Sequence, residues 1–125
     1  MCAVICMGLG KYVNECIQSL KVDIDLPHKF VKENFIFYVN KARFVLAMFN
    51  YRDVVIKLRR SPSGNAHVTI TIDRCIDPKD YHVVMWLLGD DHKRLQHSIR
   101  RYLATRHILD FHYKQRLKKN KAKNN

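Results

Sequence analysis

The sequence lacks several features that would point directly to a membrane or to a catalytic class. Its 125 residues contain no run of about 18 apolar residues, so we expect no transmembrane helix. There is no GxSxG motif, no HxH or HxxxH pair among the seven histidines, and no CxxC pair among the four cysteines. These absences argue against a serine hydrolase, a histidine metal site and a common zinc module.

The cysteines are few, and their spacing fits no metal module. Cys2, Cys6, Cys16 and Cys75 are therefore predicted to be buried apolar thiols, the usual state of free cysteine, with a disulfide left open for a hyperthermophile source. The apolar start, residues 1–10, has no basic region before it. We expect a buried first strand or helical turn there rather than a secretory signal, and hence an intracellular location, the host cytoplasm if the protein is viral.

Acidic residues are nearly missing from the last third of the chain. Residues 93–125 contain eleven Lys or Arg and one acid, Asp110, which makes +10 of the formal net charge of +12. Residues 1–50 sum to +2 and residues 51–92 to zero. Such an asymmetry favours a polyanionic partner, most often nucleic acid and less often an acidic membrane surface.

The first half of the chain predicts helices and one short strand. Residues 11–20 have apolar residues at helical spacing, and residues 22–26 alternate like a strand. Residues 28–50 form the longest apolar-periodic segment and predict a helix. Within it, residues 35–39 are β-prone and leave open a strand before a shorter helix.

The second half predicts a β-hairpin followed by two helices and a strand. Strands 53–60 and 66–73 alternate around the turn 61–65, where Pro62 and Gly64 suit a tight connection. The remaining elements are a helix capped by Asp77 that runs to Leu88, a second helix from Asp90 or Asp91 to Thr105, and a strand at 108–113. In the second helix, Leu95, Ile99, Tyr102 and Leu103 are predicted to face the core.

These elements indicate the α+β class. We expect a small antiparallel or mixed sheet built on the 53–73 hairpin plus strand 108–113, with helices packed on one face. At 125 residues and 47% apolar composition, the chain is predicted to form one domain, 1–113, followed by a basic flexible tail, 114–125.

The basic residues predict a nucleic-acid surface in three parts. The outer face of the last helix and the tail would contact phosphates, and the hairpin turn would add a second patch of guanidiniums, hydroxyls and backbone amides. The predicted nucleic-acid-binding residues are Arg59, Arg60, Lys93, Arg100, Arg101, Arg106, Lys114, Arg116, Lys118 and Lys119. An ordinary solvated helix face and a solubilising tail remain the alternative interpretation.

Two acidic motifs raise the question of a metal site. Asp23 and Asp25, at i and i+2 of the predicted strand, would face the same way and could hold Mg²⁺, or they could simply lie on a solvated edge. Asp90 and Asp91 follow Gly89, where the simpler interpretation is that glycine ends one helix and aspartate caps the next.

The order Asp23-x-Asp25, Ser63-Gly-x-x-His67 and Ile72-Asp73 resembles the three motifs of archaeo-eukaryotic-type primase cores. That resemblance implies that Asp23, Asp25 and Asp73 would be metal ligands and that His67 would contact nucleotide phosphates. The third acid follows the histidine by only six residues, a departure from the family pattern, and Asp110 is the later alternative.

A broader stretch resembles small uncharacterised proteins of archaeal viruses and phages. It comprises the Arg60–His67 segment Arg-Ser-Pro-Ser-Gly-x-x-His, the Leu87–Arg94 segment Leu-Leu-Gly-Asp-Asp-x-x-Arg, and the apolar strand that starts at Ile108. The resemblance covers about the last 65 residues and implies provenance rather than an activity.

Three functions follow as hypotheses. The leading one is a non-enzymatic, viral, nucleic-acid-binding accessory protein with no cofactor and no catalytic or metal residues. One alternative is a metal-dependent nucleotidyl-transfer or nuclease-like enzyme using Asp23, Asp25 and His67. The other is a structural protein that forms a homodimer through the apolar surface of residues 28–50.

Overall fold

The computed structural model describes residues 16–108, which form a three-stranded antiparallel sheet and four helices. In chain order these are β1 (Ser19–Pro27), α1 (His28–Glu33), α2 (Phe35–Met48), β2 (Val55–Arg60), β3 (Asn65–Thr71), α3 (Pro78–Leu87) and α4 (His92–Thr105). The α+β class is therefore confirmed. Residues Cys16–Gln96 form one compact unit, and the described residues 97–108 fall in a second.

The sheet has the order β1-β3-β2, with β3 in the centre. The hairpin predicted at 53–73 is confirmed as β2 and β3. The strand predicted at 22–26 is confirmed and extends to β1, which supplies the third strand. The strand predicted at 108–113 lies outside the described residues except for Ile108, which is buried but not in a strand.

Strand alternation divides the sheet into an apolar face and a polar face. Leu20, Val22 and Ile24 of β1 pair across to Ile70, Val68 and Ala66 of β3, and all six side chains are buried. Burying a Leu, Ile or Val side chain stabilises the fold by about 1.5–3 kcal/mol relative to leaving it exposed to water. The core therefore lies on this face, and the odd-numbered residues of β1 and β3 point the other way.

The predicted helix 28–50 consists of two helices separated at Asn34. The backbone and side-chain nitrogens of Asn34 both donate to the Phe30 carbonyl, at 3.2 and 2.9 Å, and this ends α1. Residues 35–39 belong to α2, so the strand alternative for them is wrong. The helix predicted at 11–20 is also wrong at its end, because Ser19 and Leu20 are in β1. Residues 11–15 lie outside the described part of the chain.

The ends of α3 and α4 follow the predicted capping signals. Asp77 Oδ1 accepts from the Lys79 amide at 3.0 Å, with proline at the first helical position. Gly89 has a φ of +88°, which a residue with a Cβ adopts only with strain, and it separates α3 from α4. Asp91 Oδ1 accepts from the Lys93 amide at 3.0 Å, so the interpretation of Asp91 as a helix cap is confirmed.

The predicted inner stripe of α4 is only partly correct. Leu95 is buried, but Ile99 and Leu103 are exposed, and Ser98 is buried instead. The helical period was identified correctly, but the face that becomes buried depends on neighbours that a single helix pattern does not contain.

Cys16 and Cys75 form a disulfide with a Cα–Cα distance of 4.9 Å and a sequence separation of 59 residues. Both cysteines are exposed, so the prediction of buried free thiols is wrong for this pair. The bond ties the residues before β1 to the segment after β3. Cys2 and Cys6 lie outside the described residues.

Candidate functional site

The polar face of the sheet places Asp23, His67 and Arg59 in one row across three strands. Asp23 is the register partner of His67, which in turn is the partner of Arg59. Asp23 Oδ1 contacts His67 Nε2 directly. Both side chains are about a third exposed, at 35% and 40%, so this pair lies at the surface of the sheet rather than in a closed cleft.

Asp90 and Arg94 join the loop before α4 to the same row. The Asp23 amide donates to Asp90 Oδ1 at 2.7 Å, and the Asp91 amide donates to the Asp23 carbonyl at 2.8 Å. Arg94 lies 3.3 Å from Asp23 Oδ2 and 3.7 Å from Asp90 Oδ1. Burial raises the pKa of the Asp90 carboxyl, against the lowering effect of the Asp23 amide and the Arg94 charge. The cluster is a structural tie between β1 and the start of α4.

The residues proposed for a metal site are only partly brought together. Asp23 and His67 are in contact, whereas Asp25 Oδ1 accepts from Asn65 Nδ2 at 3.3 Å. Asp73 lies beyond the other end of β3, six residues from His67, which is roughly 20 Å of extended strand. Within residues 16–108, no group of three or more His, Cys, Asp or Glu side chains is placed to hold a metal ion. The ligand set implied by the primase resemblance is therefore not assembled there.

Three backbone amides of the hairpin turn are hydrogen-bonded within the turn. The Ser61 and Gly64 amides donate to the Asn65 and Ser61 carbonyls at 2.8 and 2.9 Å, and the Asn65 amide donates to Ser61 Oγ at 3.1 Å. The Gly64 carbonyl accepts from the His28 amide at 3.0 Å, which anchors the turn to α1. The expectation that these amides would be available to a phosphate is wrong for all three.

Strand β2 carries the cations of the hairpin on its exposed side. Lys57 and Arg59 point to the polar face and are exposed, and neither forms an ion pair with any described residue. Arg60 ends the strand, and its guanidinium lies 3.8 Å from where a Cβ would stand on Gly64. Because β2 pairs only with β3, its other edge is open in the described sheet. We call Lys57, Arg59 and Arg60 the basic edge.

The predicted nucleic-acid-binding residues in and after α4 differ in exposure and in their contacts. Lys93 and Arg100 are exposed on α4. Arg101 is half-buried and donates to the Ile108 carbonyl at 3.4 Å, while its Nε is buried without a described hydrogen-bond partner. Arg106 lies 5.7 Å from the Tyr102 ring centroid, in cation–π geometry. Lys114, Arg116, Lys118 and Lys119 lie outside the described residues.

A cavity of about 500 Å³ lies beside the end of β1, between α1, α2 and the loop before α4. Apolar side chains form much of its wall, including Leu26, Phe30 and Phe37, and Lys41 and Asp91 contribute polar groups. Tyr38 also lines it, and its hydroxyl donates to the Leu88 carbonyl at 2.8 Å. Burial raises the pKa of the Tyr38 hydroxyl, so it stays protonated as a donor.

No helix among residues 16–108 is long and apolar enough to cross a membrane.

Comparison with curated proteins finds relatives in archaeal filamentous viruses. The chain is similar to "Uncharacterized protein 30" of Sulfolobus islandicus filamentous virus, with 34% identity over 92 residues, 73% of this chain and 34% of that protein. It is also similar to "Uncharacterized protein ORF144" of Acidianus filamentous virus 1, with 30% identity over 98 residues, 68% of this chain and 64% of that protein. The match thus spans about a third of the length of the first relative and less than two thirds of the second.

No protein-family model matches the chain, and no solved structure matches it. The resemblance to uncharacterised archaeal viral proteins is confirmed by the two relatives, and the viral origin of those relatives is shown. Neither relative's name states a function.

Two long-range contacts could not be assigned from the sequence. The bond from the Asp23 amide to Asp90 joins residues 67 positions apart, and no local pattern signals it. A disulfide was left open in the sequence, but the Cys16–Cys75 pairing was not assigned, because spacing alone does not specify connectivity.

Proposed function

We propose that this protein binds nucleic acid through the basic edge, by contacts to phosphates. The observation that carries the proposal is that Lys57 and Arg59 are exposed side by side on the polar sheet face without a described acidic partner. Guanidinium groups bind phosphate oxygens in pairs, and a lysine ammonium adds a point charge.

The described acids on the same face contact other residues and form no ion pair with the basic edge. Asp23 contacts His67 and lies 3.3 Å from Arg94, and Asp25 accepts from Asn65. An incoming phosphate therefore meets cations at β2, while the charge of the Asp23 carboxylate at β1 is offset by Arg94. Lys21 and Lys57 both stand opposite Thr69 in the register, so β1 and β2 each place a lysine beside the central strand.

The chemistry of this face supports backbone recognition rather than base recognition. Its register positions on β1, β2 and β3 carry no Phe, Tyr or Trp on which a base could stack. Phosphate contacts set affinity and salt dependence but carry no sequence information. We therefore expect binding that varies little with sequence. Lys93, Arg100 and the Lys/Arg-rich residues 114–123 would add further attraction.

Fluorescence anisotropy with labelled duplex DNA, single-stranded DNA and RNA across a salt series tests the proposal. Replacing Lys57 and Arg59 together by alanine should weaken binding by about tenfold or more near 0.1 M salt and reduce the salt slope by ~1–2. The matched control removes two exposed lysines of α1, Lys29 and Lys32, and should change binding less.

A chain that ends at Tyr113 separates the contribution of the tail. Weaker but still salt-dependent binding by that chain supports the basic edge. If truncation abolishes binding, or if the K57A/R59A and K29A/K32A variants lose equal affinity, the attraction comes from net charge and the proposal fails. In that case, the charges of β2 serve only to discourage pairing of an open strand edge.

A further inference from the structure

We propose that a second copy of this chain docks antiparallel on the outer side of α2, a surface separate from the basic edge. Phe37, Lys41, Phe44 and Met48 recur at spacings of four, three and four residues and form the outer stripe of this helix. Phe37 is 71% exposed, Phe44 68% and Met48 54%, whereas Ala42, Val45 and Leu46 on the opposite side are buried. The helix is therefore apolar on both its inner and its outer side.

The apolar surface around this stripe is large enough for a stable interface. Trp86 and Val83 are exposed on α3, the helix that packs beside α2, and Ile36 is exposed on α2. With Phe37, Phe44 and Met48 these make six large apolar side chains, each about half or more exposed. At roughly 100–150 Å² for each, they present about 600–900 Å², comparable with the ~800 Å² that each partner of a standard interface buries. Large apolar side chains exposed in such number on neighbouring helices are typical of an interaction site.

The spacing of the outer stripe is symmetric, which is why a second copy is the occupant that fits. The pair Phe37 and Met48 and the pair Lys41 and Phe44 have the same midpoint, between Ala42 and Arg43. A two-fold axis at that point runs the two helices antiparallel over roughly 16 Å and sets Phe37 against Met48 of the second copy. The same axis sets Lys41 against Phe44 of the second copy.

Both cross-pairs are chemically favourable. A methionine sulfur packs well against an aromatic ring, and a lysine ammonium is attracted to the face of one. Helix α2 contains no acid, so a parallel pairing in register would oppose Lys41 to Lys41 with no compensating charge. Phe37 and Lys41 also line the 500 Å³ cavity, so Met48 of the second copy meets a concave surface next to Phe37.

Charge changes at one exposed position test both the dimer and its register. Sedimentation velocity or light scattering of the full chain at tens of micromolar should report a dimer. In F44K the new cation opposes Lys41 of the second copy, and the dimer dissociation constant should rise by about tenfold or more. In F44E the carboxylate opposes the same lysine and should largely retain the dimer. The double variant K41E/F44K should restore association.

Circular dichroism and thermal melts confirm that each variant is folded, which the exposure of Phe44 leads us to expect. Mixing the F37C and M48C variants, each made in a chain whose Cys2 and Cys6 are replaced by serine, should give a mixed disulfide dimer in higher yield than either variant alone. A monomeric wild-type chain overturns the proposal, and so does equal loss of association in F44K and F44E. Binding of a monomeric chain to anionic vesicles, lost in F44K or F44E, would instead make this a membrane-facing surface.

Discussion

The outer stripe of α2 and the basic edge of β2 are both exposed parts of one compact unit, yet their chemistry is opposite. The outer stripe presents Phe37, Phe44 and Met48 to solvent, and the basic edge presents Lys57, Arg59 and Arg60. Removing apolar surface from water lowers the free energy. Exposed cations instead favour binding to a polyanion, because the contact releases the polyanion's counterions. The two proposed partners, a second copy at α2 and nucleic acid at β2, are therefore expected to bind independently.

The largest expected effect is a loss of folding stability, which would affect both surfaces because they belong to the same fold. Replacing Cys16 and Cys75 by serine opens a loop with a sequence separation of 59 residues and should lower the free energy of unfolding by about 2–4 kcal/mol. Urea denaturation of the wild type, the variant and the reduced wild type measures this. A variant as stable as the wild type would show that the bond contributes little.

A smaller loss of stability is expected where the loop before α4 is tied to the sheet. Replacing Asp90 by alanine leaves the Asp23 amide without its acceptor at 2.7 Å, which should cost about 1–3 kcal/mol. Asp91, whose carboxylate caps α4 near the surface, is the matched comparison, and D91A should cost about 0.5–2 kcal/mol. Equal losses, or a larger one in D91A, would contradict the role of Asp90 as the tie.

The pH dependence of this tie has a definite sign. Burial raises the folded-state pKa of Asp90 above its ordinary value of 3.8, so the folded chain holds that proton more tightly than the unfolded chain. Its contribution to stability is therefore largest below pH 3.8 and is lost as the pH rises through the raised pKa. The stability of the wild type relative to D90N should accordingly increase as the pH falls from 7 to 4. A difference that is flat or falls on acidification would show that the pKa is not raised.

Salt should have opposite effects on binding at the two surfaces. Raising NaCl from about 0.1 to 0.5 M screens the phosphate contacts of the basic edge and should weaken nucleic-acid binding steeply. The same change screens the repulsion between two chains of formal charge +12 and should leave the α2 dimer as strong or stronger. Anisotropy and sedimentation on the same samples measure both, and parallel weakening would argue against two independent surfaces.

The smallest effect is expected when a change on one surface is read out on the other. K57A/R59A should leave the dimer dissociation constant within about twofold, and F44K should leave the intrinsic affinity for a short DNA that holds one chain similarly unchanged. A loss of that binding in F44K would mean that dimerisation assembles the nucleic-acid site.

Much of the local structure was predictable because its causes are local. Alternating residues around Pro62 and Gly64 predicted the hairpin, and Asp77, Gly89 and Asp91 marked helix ends that the structure confirms. Helix spacing predicted α2 but left residues 35–39 open, since the β-propensity of aromatic residues depends on context and does not keep them out of a helix.

The candidate site was less predictable, because its geometry comes from residues distant in sequence. The sequence predicted Arg59 and Arg60 as nucleic-acid-binding residues. It did not show that the amides of the adjacent turn are hydrogen-bonded to Ser61 and Asn65. The contact between Asp23 and His67 follows from a strand register that joins residues 44 positions apart, counted from their numbers.

The α+β class, the hairpin and the helix caps could be predicted from the sequence, because turn chemistry and side-chain alternation act over a few residues. The excess of positive charge follows from composition alone. Four features instead depend on tertiary contacts: the pairing of β1 with β3, the Cys16–Cys75 bond, the burial of Asp90 and the exposure of Phe37 and Phe44. Each of these depends on which distant segment packs against a given surface. Hydrophobic burial is non-directional and does not specify that choice residue by residue.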